Sequence, residues 1–286
     1  MMPDIPVIDA HVHLWDPAQL RIPWLDSDPL LNHPYLLSSY REQTQSVPIE
    51  RLVYVQVDAA PQYGLIEAEW INALAEQEPL IGGIVAYAPL EDGNCIQSYL
   101  PALTRLGSRI KGVRRLLQDE SDPAFCLQPG FVRGVQLLPA YGLSCDICIR
   151  ASQLPSAIAL VERCPDTAFV LDHMGKPEIS THNVDTWRKE MTALAAHPHV
   201  FCKVSGLVTE ADHNHWRPED LAPYIEHVLH VFGEDRILFG GDWPVVLHAA
   251  PYRRWVETLD ALTAHLSEVA RRKLWAENAR SFYRLE

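Results

Sequence analysis

Short apolar runs rich in β-branched and aromatic residues recur eight times along the chain, near 6–12, 51–57, 81–88, 110–116, 143–149, 167–172, 200–205 and 236–241. Helical periodicity fills the gaps at 65–77, 94–106, 154–163, 184–196 and 219–232, the last with acidic residues in its first turn, where the helix dipole favours them. A shorter helix-like pattern covers 131–142, and 267–284 predicts a packing helix behind a Ser267 cap. Strands that alternate with helices pair in parallel, which leaves a closed barrel or a doubly wound sheet. A barrel commonly uses about 250 residues as one unit. The 286 residues are therefore read as one α/β domain, 1–286.

Composition narrows the function classes. With 48% hydrophobic and 21% charged residues, the chain has material for a large core. A formal net charge of −13 argues against non-specific nucleic-acid binding and against an anionic membrane surface. There is no run of about 18 apolar residues and no cleavable leader pattern, so a cytoplasmic protein with no membrane partner is expected. The six cysteines are scattered and are expected to be reduced there. Cys145 and Cys148 form a C-x-x-C, but "LSCDICIR" alternates like a strand, so the pair reads as structural.

Two segments exceed ordinary strand-to-helix connections. Residues 14–50 hold "IPWLDSDPLLNHPYLLSSY", and residues 117–142 hold "DESDPAFCLQPG". Long loops of this kind carry function, and in a barrel they lie over the C-terminal face.

Polar residues gather at the C-terminal ends of the predicted strands. The first strand, "PVIDAHVHLWDP", places His11 and His13 on one face by alternation, with Asp9 beside them. Two imidazoles side by side suit either a metal site or a pair of hydrogen-bond donors to substrate, and the spacing alone leaves both open. Strand four contains "KGVRRLL", strand six runs into "LDHMGKP", strand seven reads "CKVSG" and strand eight ends "FGGDWP".

Taken in order, "DAHVHLWDP", "KGVRR", "LDHMGKP", "KVSG", "LFGGDWPV" and the tail "NARSFYRL" resemble the amidohydrolase superfamily, in particular its sugar-lactonase branch, typified by L-fuconolactonase and related to 2-pyrone-4,6-dicarboxylate lactonase. The resemblance spans nearly the whole chain. It implies a (β/α)8 TIM barrel with long loops over its C-terminal face. By the same resemblance Asp242 is the general base toward water, His11, His13 and His173 polarise the carbonyl, and Arg114 binds substrate, with Arg115 a second choice that alternation turns toward the helices.

Metal-using members of the superfamily usually add a histidine at the end of strand five. Here that strand ends "DICIR", with Asp146, Cys148 and Arg150 expected inward and no histidine. The lactonase branch implies a metal-free reaction, so no cofactor is expected to be required. If zinc binds, His11, His13 and Asp242 would supply the three protein ligands such a site wants, with Cys148 a further thiolate.

The chemistry expected is hydrolysis of an aldono-lactone, an L-fuconolactone or a related galactono- or arabino-type lactone, to the open acid. In that scheme Asp242 deprotonates water and the histidines polarise the carbonyl, an arrangement worth roughly 10²–10⁴-fold for the base alone. Trp24, His33 and Tyr35 in the 14–50 loop offer aromatic faces to a sugar, with Trp24 the substrate-contact candidate. Lys203, on one face with Ser205, is expected to contact ring hydroxyls or to balance Asp242, and Trp243 to pack or stack. The alternatives are a metal-dependent decarboxylase, a lactonase for a carboxylated lactone, or a barrel that has lost catalysis and only binds. The expected partner is a small-molecule sugar lactone, and a homo-oligomer is compatible with all of these readings.

Overall fold

The computed structural model describes residues 2–179 and 184–286. Eight parallel strands pair in sequence order: β1 (Val7–Val12), β2 (Ile49–Val55), β3 (Ile81–Ala86), β4 (Ile110–Arg114), β5 (Ser144–Ile147), β6 (Phe169–Leu171), β7 (Val200–Val204) and β8 (Ile237–Phe239). A parallel bridge between Val12 and Trp243 closes the sheet, with Asp242 N donating to His11 O at 2.9 Å and His13 N to Trp243 O at 2.8 Å. This is the (β/α)8 barrel that the family resemblance implied, one of the two architectures the alternation left open.

The helices are α1 (Leu37–Thr44), α2 (Gly64–Gln77), α3 (Tyr99–Thr104), α4 (Pro129–Leu137), α5 (Leu154–Arg163), α6 (Asp185–Ala195), α7 (Leu207–Glu210), α8 (Pro218–Phe232), α9 (Tyr252–Leu262), α10 (Glu268–Arg272) and α11 (Asn278–Phe282). Several differ from the sequence reading. The predicted helix 94–106 is a 3-10 stretch, Leu90–Ser98, kinked at Gly93, before the short α3. The predicted 267–284 helix begins as expected, with Ser267 Oγ accepting from Ala270 N at 3.1 Å, but opens into a π turn at Lys273–Glu277. Helix α1 lies inside the 14–50 segment, and α9 was not anticipated.

The barrel interior is layered. Its floor is apolar, built from Ile8, Ala10, Val53, Val55, Val85, Val170 and Leu238, and closed by Phe282, Tyr283 and Leu285 from the chain's end. Burying a side chain of this size stabilises by about 1.5–3 kcal/mol each. Above the floor lies a charged layer. Lys203 Nζ is 2.7 Å from Asp146 Oδ2 and 2.9 Å from Asp172 Oδ1, and Tyr283 donates to Asp146 Oδ2 at 2.8 Å. The mouth of the barrel lies above that.

A bulge in β1 overturns one expectation. Three residue steps on β1, Asp9 to Val12, are matched by two on β2, Leu52 to Tyr54. The extra residue reverses alternation between Ala10 and His11. His11 therefore points inward with His13, but Asp9 points out, accepting hydrogen bonds from Tyr40 in α1 at 3.0 Å and Tyr252 in α9 at 2.8 Å. Asp9 is a clamp between barrel and helices rather than part of the histidine face.

The 14–50 segment folds back over the mouth. Trp15 bridges to Tyr35 and donates from Nε1 to Leu31 O and His33 O, at 3.2 and 3.0 Å. No helix among the described residues is long and apolar enough to cross a membrane.

Candidate active site

A cavity of about 350 Å³ opens at the C-terminal end of the barrel. Its wall includes His13, Arg114, His173 and Asp242, as the strand-end reading requires, together with Trp24 from the first long segment. Gln118 and Asp119 come from the second long segment, so both extended loops contribute to the wall.

Strain is concentrated here. Asp58, His173, Lys176 and Asp242 all line the cavity and all have left-handed backbones, with φ of 55°, 53°, 48° and 54°. Met174 (φ 53°) and Gly175 (φ 69°) complete a left-handed turn from His173 to Lys176. Such conformations cost of order 1–3 kcal/mol for each non-glycine residue and persist where surrounding structure enforces them, commonly at functional sites. In this turn they aim both His173 and Lys176 into the cavity.

Asp242 is the hub. Its Oδ1 lies 3.6 Å from His13 Nε2, 3.8 Å from His11 Nε2 and 3.9 Å from His173 Nε2. Burial alone would raise its pKa, but its surroundings, the Lys176 ammonium among them, hold it below the ordinary carboxylate value. Burial pushes His11 and His173 well below the usual imidazole value and lowers His13 as well, so the three rings are neutral at pH 7.

The protons on these rings follow from their second partners. His13 Nδ1 lies 2.7 Å from Val55 O, which can only accept, so Nδ1 carries the hydrogen and Nε2 presents a lone pair. That does not suit the expected donation from His13 to a carbonyl. His11 has a permanent donor near each ring nitrogen, Lys203 Nζ at 3.2 Å from Nδ1 and Arg114 Nη1 at 3.3 Å from Nε2. His11 is fully buried behind His13 and His173 and forms no part of the cavity wall, so it does not touch substrate directly.

The donor set fits a divalent metal. His11 Nε2 is 3.2 Å from His13 Nε2, and with Asp242 Oδ1 they form a triangle with edges of 3.2, 3.6 and 3.8 Å. Zinc held tetrahedrally at about 2.0–2.2 Å spans edges of about 3.3–3.6 Å. The His13 lone pair facing a carboxylate oxygen is also an arrangement that a cation between them relieves. A second group, His11, Asp172 and His173, converges too, but Lys203 and Arg114 already neutralise Asp172. Cys148 belongs to neither group. It faces the cavity with Sγ 3.6 Å from Gln118 Oε1, and burial lifts its thiol to about 12.

Several expected substrate contacts are elsewhere. Lys203 is fully buried in the charged layer, satisfied by Asp146 and Asp172, and does not reach the cavity. Trp243 is fully buried against Tyr35 and Tyr40, with ring centroids 5.3 and 5.5 Å away, because the loop from β8 turns it under the first long segment. Arg115 faces outward, as alternation implied, and is held by Glu91 at 2.9 Å and Glu120 at 2.7 Å. Arg150 is exposed and pairs with Asp119 rather than pointing inward. Arg114 reaches the cavity but is partly engaged, donating to Asp172 Oδ2 at 3.2 Å and to Gln56 O at 2.5 Å. Trp24 stays in the wall, its Nε1 donating to Val57 O at 2.8 Å. Asp58, Lys176 and Asp172 were missed: a left-handed turn defeats strand alternation, and Asp172 shows its role only through partners distant in the chain.

An amidohydrolase family model matches residues 8–285. The chain belongs to the amidohydrolase family. The chain is 33% identical to L-fucono-1,5-lactonase of Burkholderia multivorans, over 97% of this chain and 96% of that protein. It is also 23% identical to L-rhamnono-gamma-lactonase of Scheffersomyces stipitis, over 98% of each. Among solved structures, an amidohydrolase from Burkholderia multivorans with bound zinc superposes with a TM-score of 0.89 at 32% identity, covering 99% of this chain and 100% of that one. As a member of this family the protein is an enzyme, and its strained, polar cavity is where family chemistry is expected.

Proposed function

We propose that this enzyme hydrolyses the neutral lactone of a sugar acid to the open aldonic acid. The observation that carries the reading is Asp242. Its Oδ1 is ringed by three imidazoles, while Oδ2 takes no part in those contacts and the side chain faces the cavity. The names of the similar Burkholderia and Scheffersomyces proteins support a sugar lactone as substrate.

In this scheme Asp242 removes a proton from water as its oxygen bonds to the lactone carbonyl carbon. His173 donates a hydrogen bond to the oxygen that gains charge. Collapse of the tetrahedral species breaks the bond to the ring oxygen, which takes the proton back from Asp242. The acid product then loses a proton to solvent. Arg114 and Lys176 orient the sugar's oxygens, and Trp24 offers a flat face to its ring. A divalent ion held by His11, His13 and Asp242 would supply a Lewis acid toward the carbonyl.

Charge favours a neutral substrate over a carboxylated one. Asp28, Asp58, Asp119 and Asp242 line the wall against two cations. Arg114 is paired with Asp172 and Lys176 with Glu210 at 3.2 Å, Asp28 is held by His248 and Asp119 by Arg150, which leaves Asp58 and Asp242 as wall carboxylates outside these pairs. A dianionic lactone would meet repulsion from Asp58 and Asp242 and no unpaired cation among the described residues of the wall. Acid release from a panel of neutral five- and six-carbon sugar lactones beside carboxylated lactones tests this. Turnover confined to the carboxylated set would refute the neutral-sugar reading.

A further inference from the structure

The Ser205 hydroxyl lies 2.9 Å from His173 Nδ1, in a residue with no solvent exposure. Among the described residues this is the one hydrogen bond its side chain makes. A hydroxyl brings one hydrogen, and a neutral imidazole brings one N–H that can sit on either nitrogen. Were that N–H on Nδ1, it would donate to Ser205 Oγ and the serine's own hydrogen would be buried without an acceptor. When Ser205 donates instead, its buried hydrogen has an acceptor, and the imidazole N–H moves to Nε2, where it is free to meet substrate. That nitrogen faces the cavity, 3.9 Å from Asp242 Oδ1.

We infer that Ser205 is a positioning residue: by donating to His173 Nδ1 it fixes the tautomer whose N–H, on Nε2, is turned toward the substrate. Neighbouring His13 shows the converse, its ring held with the hydrogen on Nδ1 by the Val55 carbonyl. Two second partners thus give adjacent rings opposite protons, one ring ligand-like and the other donor-like.

The ring of His173 is also clamped. Its own backbone is left-handed, and the His11 ring stands 4.4 Å away, centroid to centroid. Gly206, with φ of 64°, lies so close that a Cβ there would fall 2.6 Å from Nδ1. The ring cannot swing to offer its other nitrogen, so the tautomer decides what substrate meets.

The role of the Nε2 proton in turnover rests on the lactonase reading, whereas the tautomer itself does not. Two-bond proton–nitrogen correlation spectra of the full-length protein, labelled with ¹⁵N-histidine and assigned by the peak lost in His173→Asn, read it directly. The expected spectrum shows His173 protonated on Nε2 and bare on Nδ1. In Ser205→Ala the ring should become a mixture of tautomers, with kcat lower by about tenfold and KM little changed, a fraction of what a positioned proton donor contributes. A wild-type ring protonated on Nδ1, or a Ser205→Ala variant with unchanged tautomer and kcat, overturns the inference. If Ser205→Ala fails to fold, the wild-type spectrum alone decides. An Nε2-protonated ring in a protein that hydrolyses no lactone would sink the functional reading and leave the tautomer standing.

Discussion

Lys203 Nζ and Asp146 Oδ2 meet at 2.7 Å in the centre of the barrel, both fully buried, tying β7 to β5 beneath the catalytic mouth. The same ammonium reaches Asp172 at 2.9 Å, and Asp146 also accepts from Tyr283. Lys203 thereby bridges two carboxylates, sharing Asp172 with Arg114, and the chain's C-terminal segment is hydrogen-bonded into the layer that supports His11.

Removing that cation should unfold the protein more readily than removing the cluster. Lys203→Met leaves two buried carboxylates short of a partner, a loss of about 3–5 kcal/mol. The double variant Lys203→Met with Asp146→Asn should recover part of it. Urea unfolding midpoints of both single variants and the double decide: a double variant destabilised by the sum of the two singles would show that the two residues do not act as a pair.

Glu67 gives a pH dependence with a definite sign. Burial lifts its carboxyl from the ordinary 4.5 to about 7, although Tyr54 OH at 2.7 Å and Val57 N at 2.8 Å both donate to Oε1 and oppose the rise. Between pH 4.5 and 7 the folded protein keeps a proton that the unfolded chain has lost, so this group makes stability fall as pH rises. At about 1.4 kcal/mol per pKa unit the loss across that window is about 3 kcal/mol. Glu67→Gln keeps an acceptor oxygen and cannot ionise, so its stability should lack that slope. Parallel pH profiles of unfolding free energy for the two proteins test this.

The strand-end arrangement was legible because a barrel delivers the last residue of each strand to one rim. Arg114, His173 and Asp242 could be placed there from the run of apolar residues before them, and the order of motifs added their family. Asp9 was misplaced because a one-residue bulge is invisible to a two-residue period. Asp172 and Tyr283 escaped, and Asp146 and Lys203 were turned inward without their true partners, because those partners lie far apart in the chain, 137 residues from Asp146 to Tyr283. Helix α9 was overlooked although Tyr252, Trp255, Val256 and Leu259 repeat at helical spacing and are all buried.

The metal-ligand geometry makes its own prediction. Protein stripped with chelator should bind about one equivalent of zinc by calorimetry, and His13→Asn should weaken binding at least tenfold by removing one of three protein ligands. Unchanged affinity in His13→Asn would place the ion elsewhere.

Gly206 predicts a cost in turnover that accompanies a cost in stability. In Gly206→Ala the new Cβ would press on the His173 ring at 2.6 Å, and the backbone, with φ of 64°, resists any side chain. The fold should lose about 1–3 kcal/mol, while kcat falls by about 10²-fold through displacement of a proton donor. Thermal melts and steady-state kinetics on one preparation separate the two. A variant with normal kcat would show that the ring's position is not critical.

The central claim is tested most directly by proton release from L-fucono-1,5-lactone, corrected for spontaneous opening, with wild-type enzyme and Asp242→Asn side by side. The account predicts one proton per lactone opened by the wild type and a rate about 10²–10⁴-fold lower in the variant, which retains the side chain's volume but has lost the base. Equal rates in both proteins would contradict the role given to Asp242, and a wild-type rate no faster than the spontaneous one, on this lactone and on the panel, would contradict lactone hydrolysis itself.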